Sequence, residues 1–200
     1  MKTIAFVSSN ERKFNEVKSL LSGFNTKAKF IKKNLVELQA DSMEIIALNK
    51  SRYAFSEISK PLIVEDDGLF IDDLSGFPGP YSAFVFNTIG NSGIMKLMGK
   101  SNRRRARFKS VIAFNDGRKT VTFSGETEGT VARKATKGGW GYDPIFIPEN
   151  SRMTYGTLET RGAKGIFSHR ATALRKFARW FIDETNSKKG SMELTKFSIL

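Results

Sequence analysis

The chain has 200 residues, of which 40% are apolar and 17 are Phe, enough to bury one sizeable core; it has no cysteine, which excludes disulfides and thiolate metal sites and leaves oxygen donors or His169, the single histidine, for any metal. No run approaches the roughly 20 apolar residues of a membrane span, and the N-terminal apolar run is too short for a signal peptide, so a cytoplasmic globular protein without a membrane partner is expected. The net charge of +13 points to anionic partners but does not tell nucleic acid from a small phosphorylated ligand, and the basic clusters Lys32-Lys33, Arg103-Arg104-Arg105 and Lys188-Lys189 read as solvated loops or helix ends.

In chain order, residues 3–7 read as a strand. The run Ser8-Ser9-Asn10-Glu11-Arg12-Lys13 then opens a helix over about 11–21, with Phe14, Val17, Leu20 and Leu21 on one face. Free backbone N–H groups at that helix start, the hydroxyls of Ser8 and Ser9 and the ammonium of Lys13 make a compact place for a polyanion; the plain alternative is an N-cap, Ser9 or Asn10, with Lys13 solvated. A strand is expected over 29–31. Ser42 caps a second helix that runs past Ile46, Lys50, Tyr53 and Ala54 to about Ile58, stopped by Lys60-Pro61. Residues 62–65 read as a short buried strand and 69–71 as another, and Gly76-Phe77-Pro78-Gly79-Pro80 as a rigid turn before helical stretches at 81–86 and 93–98.

From Ala106 the hydrophobic pattern changes. Residues 106–114 and 120–131 read as long antiparallel strands joined by a hairpin at Asn115-Asp116-Gly117. Gly138-Gly139 breaks the chain before a short strand at 142–147. A last helix, with Ser168 as cap and Leu174, Phe177, Ala178 and Phe181 on its core face, is expected to end near Asn186, giving one domain over 1–186 and a C-terminal tail over 187–200.

Four segments carry chemistry. Besides the helix start, Glu65-Asp66-Asp67 crowds three carboxylates at the end of a strand, where they repel one another unless a cation neutralises them; hard oxygen donors suit Mg²⁺, and Glu37, with Asp41 and Glu44 nearby, offers further carboxylates. Trp140-Gly141-Tyr142-Asp143 puts aromatic surface and a carboxylate on a glycine-freed backbone, suited to stacking on a base and reading its edge. Lys164 with His169 and Arg170 puts cations at a helix N-terminus, where the helix dipole disfavours them unless a bound anion supplies the missing charge.

Taken together these segments resemble one family, the non-canonical purine nucleoside triphosphate pyrophosphatases, also called inosine triphosphate pyrophosphatases or XTP/dITP diphosphatases. The motifs stand in order as Ser8-Ser9-Asn10-x-x-Lys13, Glu37-Leu38-Gln39, Glu65-Asp66-Asp67-Gly68-Leu69, Gly76-Phe77-Pro78-Gly79-Pro80-Tyr81-Ser82, Trp140-Gly141-Tyr142-Asp143-Pro144 and Ser168-His169-Arg170, and the pattern is most similar to the archaeal branch. The resemblance spans Lys2 to about Phe181.

It implies an α/β fold with an elongated mixed sheet flanked by helices, two lobes with a nucleotide cleft between them, and a homodimer. It also implies Mg²⁺-dependent hydrolysis of ITP, dITP and XTP to the monophosphate and pyrophosphate. By the same resemblance Ser8, Ser9, Asn10, Glu11, Arg12 and Lys13 hold the triphosphate, Glu37 and Asp66 bind the metal, and Asp66 is the catalytic proton acceptor. Trp140, Gly141, Tyr142 and Asp143 form the base pocket, and Lys50, Asp67, Lys164, His169 and Arg170 complete the substrate contacts. The family places Ser where this chain has Asp67, which here either adds a metal ligand or repels phosphate. Two other readings compete: a pyrophosphohydrolase of different nucleotide preference, and a non-enzymatic basic nucleic-acid binder. The second explains the charge but not the acidic cluster, so no stable nucleic-acid partner is expected.

Overall fold

The structure, a computed structural model, describes the backbone of residues 2–197 and the side chains of residues 2–185. A six-stranded mixed sheet runs in the order β2-β1-β3-β4-β5-β6, formed by β1 (Lys2–Ser8), β2 (Thr26–Lys32), β3 (Leu62–Ile71), β4 (Arg105–Asn115), β5 (Thr120–Val131) and β6 (Phe146–Pro148). Among the described residues seven α-helices accompany it: α1 (Glu11–Ser22), α2 (Met43–Ile58), α3 (Ser82–Thr88), α4 (Gly90–Met98), α5 (Tyr155–Thr160), α6 (Lys164–Phe167) and α7 (His169–Phe197). This is the expected α/β class. None of these helices is long and apolar enough to cross a membrane.

The topology opens a gap where the chemistry sits. β1 is parallel to both its neighbours but meets β3 only at Ala5↔Leu62 and Phe6↔Ile63, whereas β3 stays paired with β4 along its whole length, from Leu62↔Asn115 to Ile71↔Ala106. Beyond Ile63 the other edge of β3 therefore faces a crevice at the carboxyl ends of the parallel strands, the usual ligand position in open α/β sheets. On one side of this split, α1 and α7 cover one sheet face with Ile4, Phe6, Val17, Leu21, Phe114 and Phe177 between them, while α2 covers the opposite face with Met43, Ala47 and Ala54 against Val64 and Val111. On the other side a separate core of Leu69, Ile94, Phe108, Phe146 and Tyr155 fills the second lobe.

Several expected boundaries move. The two short strands at 62–65 and 69–71 are one strand, so the carboxylates lie inside β3 rather than at its end. Continuity is possible because flanking cations compensate them and because residue 68 is Gly: a Cβ there would stand 2.4 Å from the Gly79 carbonyl oxygen, on the turn that crosses the strand. The expected strand at 142–147 is instead a 3₁₀ turn (Asp143–Ile145) followed by the three-residue β6, since Pro144 has no N–H to give a ladder. β2 is longer than expected, starting at Thr26. The last helix does not stop near Asn186; α7 runs to Phe197, because residues 187–197 hold no proline and Gly190 weakens a helix without ending it. The expected tail is thus helical as far as Phe197, and its end, residues 198–200, lies outside the described residues.

Candidate active site

The alternation of β3 sends neighbouring carboxylates to different surroundings. Glu65 and Asp67 meet α1 and the first turn of α7. The Arg170 Nε donates to Glu65 Oε1 at 2.8 Å, its Nη2 lies 3.2 Å from Asp67 Oδ2, and its Nη1 donates to Glu16 on α1. Lys13 sits 3.1 Å from Glu65 Oε2 and also contacts Asp67, and Ser110 on β4 donates to Glu65 Oε1 at 2.8 Å. Burial works against the charges of Lys13, Asp67 and Arg170, but their partners outweigh it. Lys13 and Arg170 hold Asp67 well below the ordinary carboxylate range, and Glu65, Glu16 and Asp67 hold Arg170 above its own. What presses the start of α7 so close is Gly125 on β5, where a Cβ would stand 2.3 Å from the His169 carbonyl oxygen.

Asp66 has poorer company. Its nearest cation is Lys50 of α2, 3.6 Å away, and Lys50 is shared with Glu37, whose half-exposed carboxylate reaches in from the β2–α2 connection. Burial, only partly offset by Lys50 and Lys13, pushes Asp66 up to about 6. Glu37 and Asp66 thus converge on one ammonium, the place a small cation would take.

At the far end of the cleft the glycine-rich loop holds Trp140. Gly139, at φ +69°, approaches Asp143 so closely that a Cβ would stand 2.6 Å from Oδ2; that oxygen accepts the Trp140 N–H at 3.0 Å and the Lys164 ammonium at 2.7 Å. Glu16 closes the circuit by accepting from Trp140 Nε1 at 2.9 Å and Lys164 at 3.1 Å, so it ties α1 to the loop; despite burial, Arg170 and Lys164 hold it at about 2. The ammonium of Lys164 and the guanidinium of Arg170 lie 5.5 Å and 5.4 Å from the Trp140 ring centre. His169 stacks on Phe108 at 4.6 Å with both ring nitrogens buried and without a hydrogen-bond partner, and burial lowers its pKa. Such unpaired groups are costly and mark a place where a ligand's polar atoms fit.

The structure brings Ser8, Ser9, Asn10, Lys13, Glu37, Lys50, Asp66, Asp67, Trp140, Gly141, Tyr142, Asp143, Lys164, His169 and Arg170 to the lining of one cleft of about 330 Å³. Glu11 and Arg12 are turned away from it. They line an adjoining open depression with Ser9, Asn10 and Asn15, because the first turn of α1 carries them round to the solvent face. Asn10 is the cap, with Oδ1 accepting from Arg12 N and Lys13 N at 3.0 and 3.2 Å. Tyr142 is buried, its hydroxyl donating to the Ser82 carbonyl at 3.0 Å, so it braces the pocket rather than reading a base edge.

One expectation is overturned: the charge opposing His169 and Arg170 is supplied not by a ligand but by Glu16, Glu65 and Asp67, and His169 is held toward its neutral form. Asp41 and Glu44 do not join the cleft lining, and Glu44 pairs with Lys109 at 2.7 Å. The sequence reading gave Glu16 no role, although it sits one turn beyond Lys13 on the same helix face. It also missed Phe86, Asn87 and Phe108 in the cleft lining and Ser110 behind Glu65, residues that no local spacing marks.

Around the cleft four cations (Lys13, Lys50, Lys164, Arg170) face six carboxylates (Glu16, Glu37, Glu65, Asp66, Asp67, Asp143), within a chain whose net charge is +13. Among the described residues no three carboxylates or imidazoles converge tightly enough to hold a metal by themselves. Glu37 and Asp66 fit a Mg²⁺ that takes one or two carboxylates and completes its shell with water and phosphate oxygens. A roomier depression of about 710 Å³, walled by Arg103, Arg105, Arg133 and Asp72, lies at the far end of β4 and β5 and contains none of these groups.

A sequence model of the Ham1 family matches residues 4–180. The dITP/XTP pyrophosphatase of Methanopyrus kandleri is 43% identical over 180 residues, covering 89% of this chain and 95% of that protein, and that of Methanosarcina mazei is 42% identical over 184 residues, covering 91% and 98%. Among solved structures, a HAM1 protein from Coxiella burnetii superposes with a TM-score of 0.78 at 26% identity, covering 92% of this chain and all of that one. The Staphylococcus aureus Ham1 protein gives 0.76 at 27% identity, covering 90% and 99%.

Proposed function

The chain belongs to the Ham1 family, and on that premise we propose that it hydrolyses dITP, XTP and ITP to the monophosphate and pyrophosphate with Mg²⁺, clearing purine nucleotides that carry an oxo group at position 6 and no amino group at position 2. The observation that carries the reading is the cleft beside β3, where the lining carboxylates together with Glu16 and Glu65 just behind them exceed the cations by two within a strongly basic protein. A bare polyanion is poorly received there, and a nucleotide accompanied by one divalent cation restores the balance.

The start of α1, with Ser8, Ser9, Asn10 and Lys13, lies where the phosphate chain enters. Asp66, ionised above about pH 6, takes the proton of the attacking water. A Mg²⁺ held by Glu37 and Asp66 would supply charge neutralisation at the phosphorus. Lys13, Lys50 and Arg170 offset charge on the phosphate oxygens. Trp140 offers its ring to the purine, while Lys164, His169 and Asp143 present donors and acceptors to its edge. The 6-amino group of adenine would leave one of these buried groups unpaired, and the 2-amino group of guanine would bring a donor that none of them accepts; together these supply the discrimination.

The test is pyrophosphate release from dITP, XTP, ITP, dUTP, ATP and GTP, each with Mg²⁺ and with chelator. Preference for the first three, abolished by chelator, supports the reading; a flat profile sinks it. A homodimer in the cytoplasm completes the proposal. Its contact falls on α3 and α4, where Phe84 is 67% and Leu97 54% exposed beside Tyr81 and Ile89. Light scattering of Phe84→Glu against the wild type checks it, with a monomer expected for the variant.

A further inference from the structure

The nucleotide reading makes Lys13 and Arg170 phosphate ligands, yet the structure shows both already engaged. Glu65 takes 3.1 Å and 2.8 Å contacts from the same two cations, is fully buried, and accepts from Ser110 as well; Glu16 takes a third contact from Arg170. These carboxylates meet the need of the buried cations for counter-charge. Asp67 is surplus to it. Its carboxylate contacts Lys13, lies 3.2 Å from Arg170 Nη2 and 3.9 Å from His169 Nε2, and remains 15% exposed toward the cleft where Glu65 is sealed. The distance to His169 is too long for a hydrogen bond, so Nε2 stays unpaired with Asp67 as its facing anion.

Resting on the nucleotide reading, we propose that Asp67 is an internal competitor of the phosphate chain: it occupies the cleft-facing side of Lys13 and Arg170, so that a polyphosphate gains those cations only when it brings a divalent cation. The physical basis is like-charge exclusion. A metal-free triphosphate that approaches Lys13 and Arg170 must stand against the Asp67 carboxylate in a partly desolvated site, where the repulsion is weakly screened. A metal-complexed chain carries less net charge, is repelled less, and can draw Lys13 and Arg170 away from Asp67. The same contact favours release, because pyrophosphate that has lost its cation meets a carboxylate ready to take back Lys13 and Arg170. Asp67 therefore selects the metal complex of the nucleotide over the free nucleotide, a task distinct from proton transfer at Asp66.

The experiment titrates inorganic tripolyphosphate calorimetrically into wild type, Asp67→Ser and Asp67→Asn, in chelator and in Mg²⁺, with thermal melts of all three proteins. Both variants should bind metal-free tripolyphosphate roughly tenfold or more tightly than wild type, as removal of one like-charge contact implies, while the gain conferred by Mg²⁺ shrinks. Melting should shift little, since Glu65 and Glu16 remain; the near-isosteric Asn variant covers the case in which Ser alone disturbs packing. Unchanged or weaker metal-free binding in both variants overturns the proposal, as does loss of affinity for Mg²⁺ alone, which would make Asp67 a metal ligand. If wild type releases pyrophosphate from dITP but the variants bind no tighter, the competition fails while the activity stands. Tighter binding by the variants in a wild type inert toward every nucleotide leaves the competition standing and the activity fallen.

Discussion

On one side of β3, Glu65 and Asp67 meet Lys13 and Arg170 in a network closed by Glu16 and Ser110; on the other side, one residue away, Asp66 has Lys50 as its one paired cation, shared with Glu37, and Lys13 at longer range. Both sides are buried, yet Asp67 is held far below the ordinary carboxylate range and Asp66 rises to about 6. Burial alone therefore does not make a base. What separates the two is the number of cations each carboxylate can count on, and the strand alternation that assigns them. The compensated side holds the lobes together, and the under-compensated side is left free for chemistry.

Removing the shared cation of the compensated side should produce the largest effect. Arg170→Ala strips one partner from Glu65, Asp67 and Glu16 at once, leaving buried charge uncompensated, and is expected to cost about 3–5 kcal/mol in urea unfolding. A loss under about 1 kcal/mol would show that Lys13 and Lys164 suffice and would erase the contrast. On the other side, Asp66→Asn should raise stability against unfolding at neutral pH, since the ionised carboxylate it replaces detracts from it, and lower turnover roughly 10²-fold or more, since proton acceptance is lost. Near-normal turnover would move the base elsewhere.

These contrasts also explain what the sequence disclosed. The strand–cap–Lys13 run, the hairpin at Asp116-Gly117 and the acidic triplet each rest on local spacing, and all are present in the fold. Placing Asp66 and Asp67 in opposite settings needed the register of β3 against β4 and the early end of β1, which are long-range facts. From the sequence alone the triplet reads as a strand end, because three carboxylates look incompatible with a strand interior; the cations that permit them come from α1, α2 and α7. Glu16 went without a role for the same reason, since its partners Trp140, Lys164 and Arg170 lie more than 120 positions away in the chain.

The base end offers a middle-sized test. Trp140 is tied to the compensated network through Glu16 and carries Lys164 and Arg170 close to its ring, so it bears on base recognition rather than phosphate neutralisation. Trp140→Ala should weaken dITP by about 1–3 kcal/mol while leaving tripolyphosphate nearly untouched. Equal losses for both ligands would place Trp140 in general packing of the cleft and sever the base end from the comparison.

Acid titration separates the two sides with the smallest perturbation. Asp66 has its folded pKa raised by burial, so its ionisation detracts from stability as pH rises from its ordinary 3.8 toward about 6, and protonating it by acidification does not unfold the protein. Glu16 is the opposite case: its folded value, lowered from 4.5 to about 2 by Arg170 and Lys164 despite burial, contributes stability that is complete above about pH 4.5 and is lost as pH falls toward 2. Between pH 6 and 5 the protein should therefore remain folded while kcat/KM at limiting Mg²⁺ falls roughly fivefold, as the ionised fraction of one base titrating near 6 does. Raising Mg²⁺ stabilises the ionised carboxylate and should move this acid limb to lower pH, whereas the acid unfolding transition below pH 4.5 should not follow Mg²⁺, because Glu16 faces only protein cations. An acid limb fixed in position at every Mg²⁺ concentration would detach the titrating group from the Glu37–Asp66 side and return it to the compensated network.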